Sequence, residues 1–238
     1  MSWCILEVSG NGKTETKIRT PLKKAKKSGL FPPIPLTGYS CSDKTWIVFK
    51  DFLIHLISLP EDSWKTLCYY IRSALEAGVS IREIEALVLS VSIEGILGLE
   101  FSDFALSGKS FKEEVQLVKK YFSDSDLSVQ LKNRLNGSLS AMLNSRAKDK
   151  LIGLKEQGGI DKELIKAWES FRHPFAHGVV PDYKDIQAYI NCRGSIIVLF
   201  HQLIFLSIGY KGEYCDYSCP GYNIKIFDKV YKRDSNSV

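Results

Sequence analysis

The stretch ESFRHPFAHGVVPDY brings Arg172, His173, Pro174 and His177 together and contains two of the four histidines in the chain. An arginine keeps its charge at every working pH, and its planar fork suits two oxygens of a phosphate. A histidine titrates near neutrality and suits proton transfer, typically worth about 10² to 10⁴-fold in rate. A fixed cation beside a titrating ring is equipment for acid–base chemistry on an anionic substrate. Two other uses of these residues stay open. Arg172 and His177 would also serve to satisfy carbonyls at the end of a helix. His173 and His177 have the four-residue spacing of a metal pair, with Glu94 as a third ligand. Against the metal set stand Pro174, which spoils the helix that the spacing requires, and the lack of a glutamate directly after the first histidine.

On an uninterrupted helix, at about 100° per residue, Arg172 and His177 point roughly 140° apart. Pro174 is expected to end αR geometry at His173, so that a kink swings His177 toward the guanidinium. Gly178 and VVPDY then release the chain into the next helix. The elements that must hold this stretch are helical. The apolar spacing predicts helices near 43–58, 61–76, 81–106, 110–122, 127–156, 161–173 and 184–210. Starts are marked by Pro60 before EDSW, by Ser80 with Glu83 as a capping box, and by Asp161. One apolar face runs through Ile81, Ile84, Leu87, Val88 and Val91, another through Ile160, Leu164, Ile165, Trp168 and Phe171. An all-α bundle is the fold class these patterns imply.

The last helix holds the most apolar run, SIIVLFHQLIFLSIGY, too short to span a bilayer comfortably and interrupted by His201 and Gln202. It reads as a core helix. Ile196, Ile197, Leu199, Phe200, Leu203, Ile204 and Phe205 surround it with more apolar surface than one neighbour covers, a surplus expected to form an interface. His55 and His201, on apolar faces, read as core histidines. Trp46, Trp64, Tyr69 and Tyr70 also read as core, because no basic residues interleave with them as in a base-stacking surface.

Residues 1–40 differ in character. WCILEVSGNGKTETKIRT suggests a hairpin, and PLKKAKKSGLFPPIPLTG reads as a stiff linker. The expected division is therefore a β-containing extension and Pro/Lys-rich linker over 1–40, then a helical domain over 41–238 with a short strand-like tail, YNIKIFDKVYK, that would add an edge strand or pair with residues 3 to 8. Seven Lys/Arg stand against two Glu in residues 1–40, while the rest of the chain balances. A broad nucleic-acid face therefore cannot be read from net charge, and Lys23, Lys24, Lys26 and Lys27 would form a local one that touches RNA phosphate, or a solvated basic loop. Six cysteines without paired knuckle spacings, and no signal peptide, imply reduced thiols and a cytoplasmic location, with no membrane partner and no metal or other cofactor.

RHPFAH followed by Gly178, at the end of a penultimate amphipathic helix bearing Trp168, resembles the R-x4-H signature of the HEPN superfamily, and within it the ApeA type of anti-phage and toxin protein. The resemblance covers about seven residues, with a helical architecture over roughly 43–210 consistent with it. It implies a HEPN-type helical bundle and a metal-independent endoribonuclease in anti-phage defence or a toxin system. RNA, including tRNA, would be cut to 2′,3′-cyclic phosphate and 5′-hydroxyl ends. Arg172 and His177 match the signature, His173 takes its polar position, and Glu94 is the candidate for an acidic residue on an earlier helix. It implies a homodimer whose two motifs meet at a two-fold axis, and an inhibitory partner or antitoxin. The alternative is a non-catalytic HEPN-like module that binds RNA or protein.

Overall fold

Helical periodicity from residue 43 onward is realised as α1 (Asp43–Ser58), α2 (Glu61–Ala77), α3 (Arg82–Glu100), α4 (Lys109–Ser123), α5 (Val129–Met142), α6 (Ala147–Glu156), α7 (Lys162–Ala176) and α8 (Ile186–Ile208). Strands β1 (Ile5–Ser9) and β2 (Glu15–Arg19) precede them; β3 (Gly212–Asp216) and β4 (Asn223–Phe227) follow. This computed structural model describes residues 5–9, 15–19, 30–35, 43–78, 80, 82–102, 109–143, 145–176, 186–219 and 221–231. Residues 5–9, 15–19, 43, 82–83, 109–110, 173–176 and 186 are described by their backbone alone.

Helix α3 is the hub of the core, packed by α2, α6, α7 and α8. Its contact with α2 is close because Gly95 lacks a side chain: a Cβ there would lie 2.1 Å from the Tyr70 ring. The face through Ile160, Leu164, Ile165, Trp168 and Phe171 is buried as expected. So is α8. Ile196, Ile197, Leu199, Phe200, Leu203 and Phe205 are all buried within the one chain. The apolar surplus expected at these six positions is therefore not there, because several neighbours share the circumference of the helix, each large side chain contributing about 1.5–3 kcal/mol of burial.

Several expectations are corrected. The run predicted as one helix over 127–156 is two, α5 and α6. Ser128 caps the first by accepting from Leu131 N at 3.4 Å. Asp149, in the first turn of the second, accepts the Arg146 backbone N–H at 3.2 Å and grips its guanidinium at 3.1 Å. The sheet attached to the helical body lies at the C-terminus, not in the N-terminal extension. There β4 pairs antiparallel with β3, Cys215 opposite Ile224, rather than with residues 3 to 8. A local turn, with Gly221 and Tyr222 at positive φ, closes this hairpin at far less entropic cost than pairing across the chain. Strand β1 pairs with β2, Ile5 opposite Arg19.

Residues 30–35, within the segment read as a linker, pack against the body. Leu30 and Ile34 are buried, the Tyr217 hydroxyl donates to the Pro32 carbonyl at 2.6 Å, and Cys215 N donates to the Pro33 carbonyl at 3.1 Å. The core assignment of Trp46 and Tyr69 fails as well, since both are exposed. Helix α2 turns Leu67, Ile71 and Ala74 inward, which leaves Tyr69 nearly opposite. Ile84, Leu87 and Val91 of α3 are likewise exposed.

Candidate functional site

Helix α3 is apolar along most of its length but carries three glutamates beyond the first turn, each facing a different neighbour. Glu85 is buried and receives Arg193 of α8 through Nε at 2.8 Å and Nη2 at 2.6 Å. Glu100, also buried, has its carboxylate 3.0 Å from His55 Nε2 of α1. Glu94 forms an ion pair with Arg172 of α7. A carboxylate amid apolar residues needs such a partner, and the rotation of about 100° per residue sends the three to three different helices.

The Glu94–Arg172 pair is the most open of the three, with side chains 34% and 41% exposed. Amphipathic α7 places it. Trp168 and Phe171 point inward, and Arg172, one turn after Trp168, lays its guanidinium over the indole at 5.6 Å from the ring centroid. Glu94 takes Nε, and among the described residues the two Nη groups have no partner. A cleft of about 670 Å³ opens here, lined by Glu94, Arg146, Lys148, Trp168, Glu169 and Arg172. Its other cations are compensated. Lys148 pairs with Glu169 at 2.5 Å, and the Arg146 hydrogen bonds hold the Asp149 carboxyl below its ordinary range. Trp168 is buried, and among the described residues its Nε1 has no hydrogen-bond partner.

Of the residues singled out by sequence, the structure thus brings together Glu94 and Arg172. The helix does not end at His173. It runs through Pro174 to Ala176, so a helix stop at His173 does not deliver the convergence with His177. Pro174 forfeits one hydrogen bond, the one its missing N–H would give to the Ser170 carbonyl four residues back. His173 lies in the last turn of α7, where only the backbone is described; His177, Lys23, Lys24, Lys26 and Lys27 lie outside the described residues. Among the described residues no three His, Cys, Asp or Glu side chains gather as a metal set.

The remaining singled-out groups are built into the packing. His201 is fully enclosed beside Phe200, Phe205 and Tyr217, and burial lowers its pKa to about 3, so the ring is neutral. In CDYSC, buried Asp216 accepts from Ser218 N at 2.9 Å, Ser218 Oγ at 2.5 Å and Lys225 Nζ at 2.6 Å. Burial pushes its carboxyl up, but these partners outweigh it and hold the pKa below the ordinary value. Sequence reasoning missed the Glu85–Arg193 pair. Its signal was a glutamate among Ile84, Ala86, Leu87 and Leu89, as legible as that of Glu94.

Comparison with family models, with curated proteins and with solved structures returns no match.

Proposed function

We propose that this chain is a metal-independent endoribonuclease of HEPN type. The observation that carries the reading is the arrangement of Arg172: Nε held by Glu94, the guanidinium laid over Trp168, and both Nη groups unpartnered, among the described residues, at an open cleft. A carboxylate on Nε fixes the plane of the fork and leaves two donors for phosphate oxygens. It sits at the start of the RHPFAH motif. In this reading Arg172 stabilises the charge that develops on the scissile phosphate. His177 removes the 2′-hydroxyl proton or protonates the leaving 5′-oxygen, yielding a 2′,3′-cyclic phosphate and a 5′-hydroxyl.

One titrating group and one cation per chain are too few for the acid, the base and the phosphate charge together, so the active form is a homodimer with the motifs near the two-fold axis. The face of α3 supports this. Ile84, Leu87, Val91 and Glu94, spaced i, i+3, i+7 and i+10, lie on one side of the helix, so an exposed apolar stripe leads directly to the carboxylate that holds Arg172.

A second reading, a HEPN-like module that binds RNA or protein without cutting, draws on the charge balance of the cleft, where Lys148 and Arg146 already hold carboxylates. Incubation with total RNA and with tRNA, with and without EDTA, separates the readings. Cleavage that survives EDTA and leaves ends labelled by polynucleotide kinase is expected. Arg172→Ala and His177→Ala should each lower it at least about 10²-fold while helical content is kept. Cleavage abolished by EDTA and restored by a divalent ion would return the chemistry to the histidines as metal ligands; binding without cleavage would favour the second reading.

A further inference from the structure

Helices α4 and α5 form an antiparallel hairpin whose main packing is on each other, and α5 buries no residue. Together they hold six Lys or Arg against two Glu. Lys112, Gln116 and Lys119, spaced i, i+4 and i+7, share one side of α4, and Asn133, Asn136 and Ser140 share one side of α5. Lys119 Nζ donates to Ser140 Oγ at 2.8 Å, so the two sides adjoin. Near the turn, Lys132 Nζ donates to the Ser123 carbonyl at 2.8 Å.

No carboxylate of either helix lies on that face. Glu113 is turned roughly 90° from its middle and Glu114 lies nearly opposite. Asp124 and Asp126 belong to the turn beyond its end. Among the described residues Lys112, Lys119, Lys120, Lys132 and Arg134 make no ion pair, whereas Arg146, Lys148 and Arg172 around the cleft each hold a carboxylate. Uncompensated cations interspersed with neutral amides suit a polyanion. The cations gain by releasing its counterions, and the amides of Gln116, Asn133 and Asn136 supply hydrogen bonds to phosphate and sugar oxygens.

We infer that this carboxylate-free face of the α4–α5 hairpin is a docking surface for the phosphate backbone of RNA, separate from the cleft that would cut it. The choice of RNA over another polyanion rests on the proposed function. The face supplies the cationic track that the charge-balanced cleft lacks.

The test measures binding apart from cleavage. Arg172→Ala protein is titrated with a short fluorescein-labelled oligouridine from about 50 to about 200 mM salt, and the hairpin is altered in that background by Lys112→Gln with Lys119→Gln. The pair should weaken binding several-fold at low salt and lower the log–log salt slope by about 1.4, at about 0.7 for each phosphate of a single strand that a lysine no longer neutralises. Lys211→Gln, the same substitution at one lysine outside the hairpin, should leave both unchanged, and Lys112→Arg with Lys119→Arg should keep the parent slope. An unaltered affinity and slope in the glutamine pair, or poly-glutamate bound as tightly as RNA at equal charge, would overturn the assignment, the latter in favour of an acidic protein. Failure here leaves cleavage by wild-type protein untouched. Failure of the nuclease reading leaves the salt-slope effect standing.

Discussion

Two ion pairs anchored on the same helix should respond very differently to the same substitution. Glu85→Gln removes the charge from a carboxylate whose side chain is 5% exposed and which holds Arg193, itself 18% exposed, through two hydrogen bonds. Arg193 also lies over the Phe31 ring at 5.2 Å, so its placement helps to hold residues 30–35 on the body. The substitution removes the Glu85 countercharge from a guanidinium in a largely dehydrated site, a change that costs about 3–5 kcal/mol. At about 2–4 °C per kcal/mol for a chain of this size, Tm should fall by roughly 10 °C. Glu94→Gln breaks a pair that is 34% and 41% exposed, where water and salt screen the lost charge and Arg172 keeps its seat over Trp168. That loss should be about 0.5–1 kcal/mol, or about 2 °C. Thermal unfolding of both variants, followed by far-UV circular dichroism, checks the order, and a double-mutant cycle with Arg193→Met isolates the buried coupling. RNA cleavage should rank them the other way at a temperature where both are folded, Glu94→Gln being the slower. Equal losses of stability, or a larger one at Glu94, would refute the argument that burial sets the worth of each pair.

Gly194→Ala should destabilise the fold by about 1–3 kcal/mol or more, read by urea unfolding, because its Cβ would sit 2.1 Å from the Tyr217 carbonyl oxygen, a backbone atom with no rotamer to yield. His201 is neutral in the fold, with a pKa of about 3, against about 6.5 in the unfolded chain. Its contribution is therefore full above about pH 6.5 and is lost as pH falls, by up to about 1.4 kcal/mol per pH unit. His201→Leu should flatten the decline in Tm between about pH 6.5 and pH 3, and a wild-type His201 ring resonance that titrates near pH 6.5 would contradict this. Tyr217→Phe deletes the donor to the Pro32 carbonyl and should cost about 1 kcal/mol by chemical denaturation, with earlier proteolysis around residues 30–35.

Sequence by itself determined the helices whose faces are strongly periodic. Trp168, Phe171, Leu164 and Ile165 recur at helical spacing, and α7 buries them because that spacing needs only a neighbour of any kind. It also singled out Glu94 and Arg172, since a carboxylate in an apolar helix and a guanidinium in the RHPFAH motif are conspicuous in one dimension. That they meet was decided in three dimensions, by the crossing of α3 and α7. The same holds for Glu85 with Arg193, which are 108 residues apart in the chain. Periodicity states that a face is apolar and leaves open which surface covers it. Thus α8, rightly read as a core helix, was credited with surplus apolar surface that its own chain buries, and Ile84, Leu87 and Val91 were read as a bundle face although they are exposed. Strand pairing was undetermined for a related reason. The alternation in YNIKIF identifies a strand, but its partner depends on which closure costs less entropy, and the adjacent β3 wins. The fate of Pro174 was tertiary too. Local sterics predict a helix stop at His173, yet α7 continues to Ala176. The burial of Leu164, Ile165, Trp168 and Phe171 along α7 outweighs one lost hydrogen bond near its end.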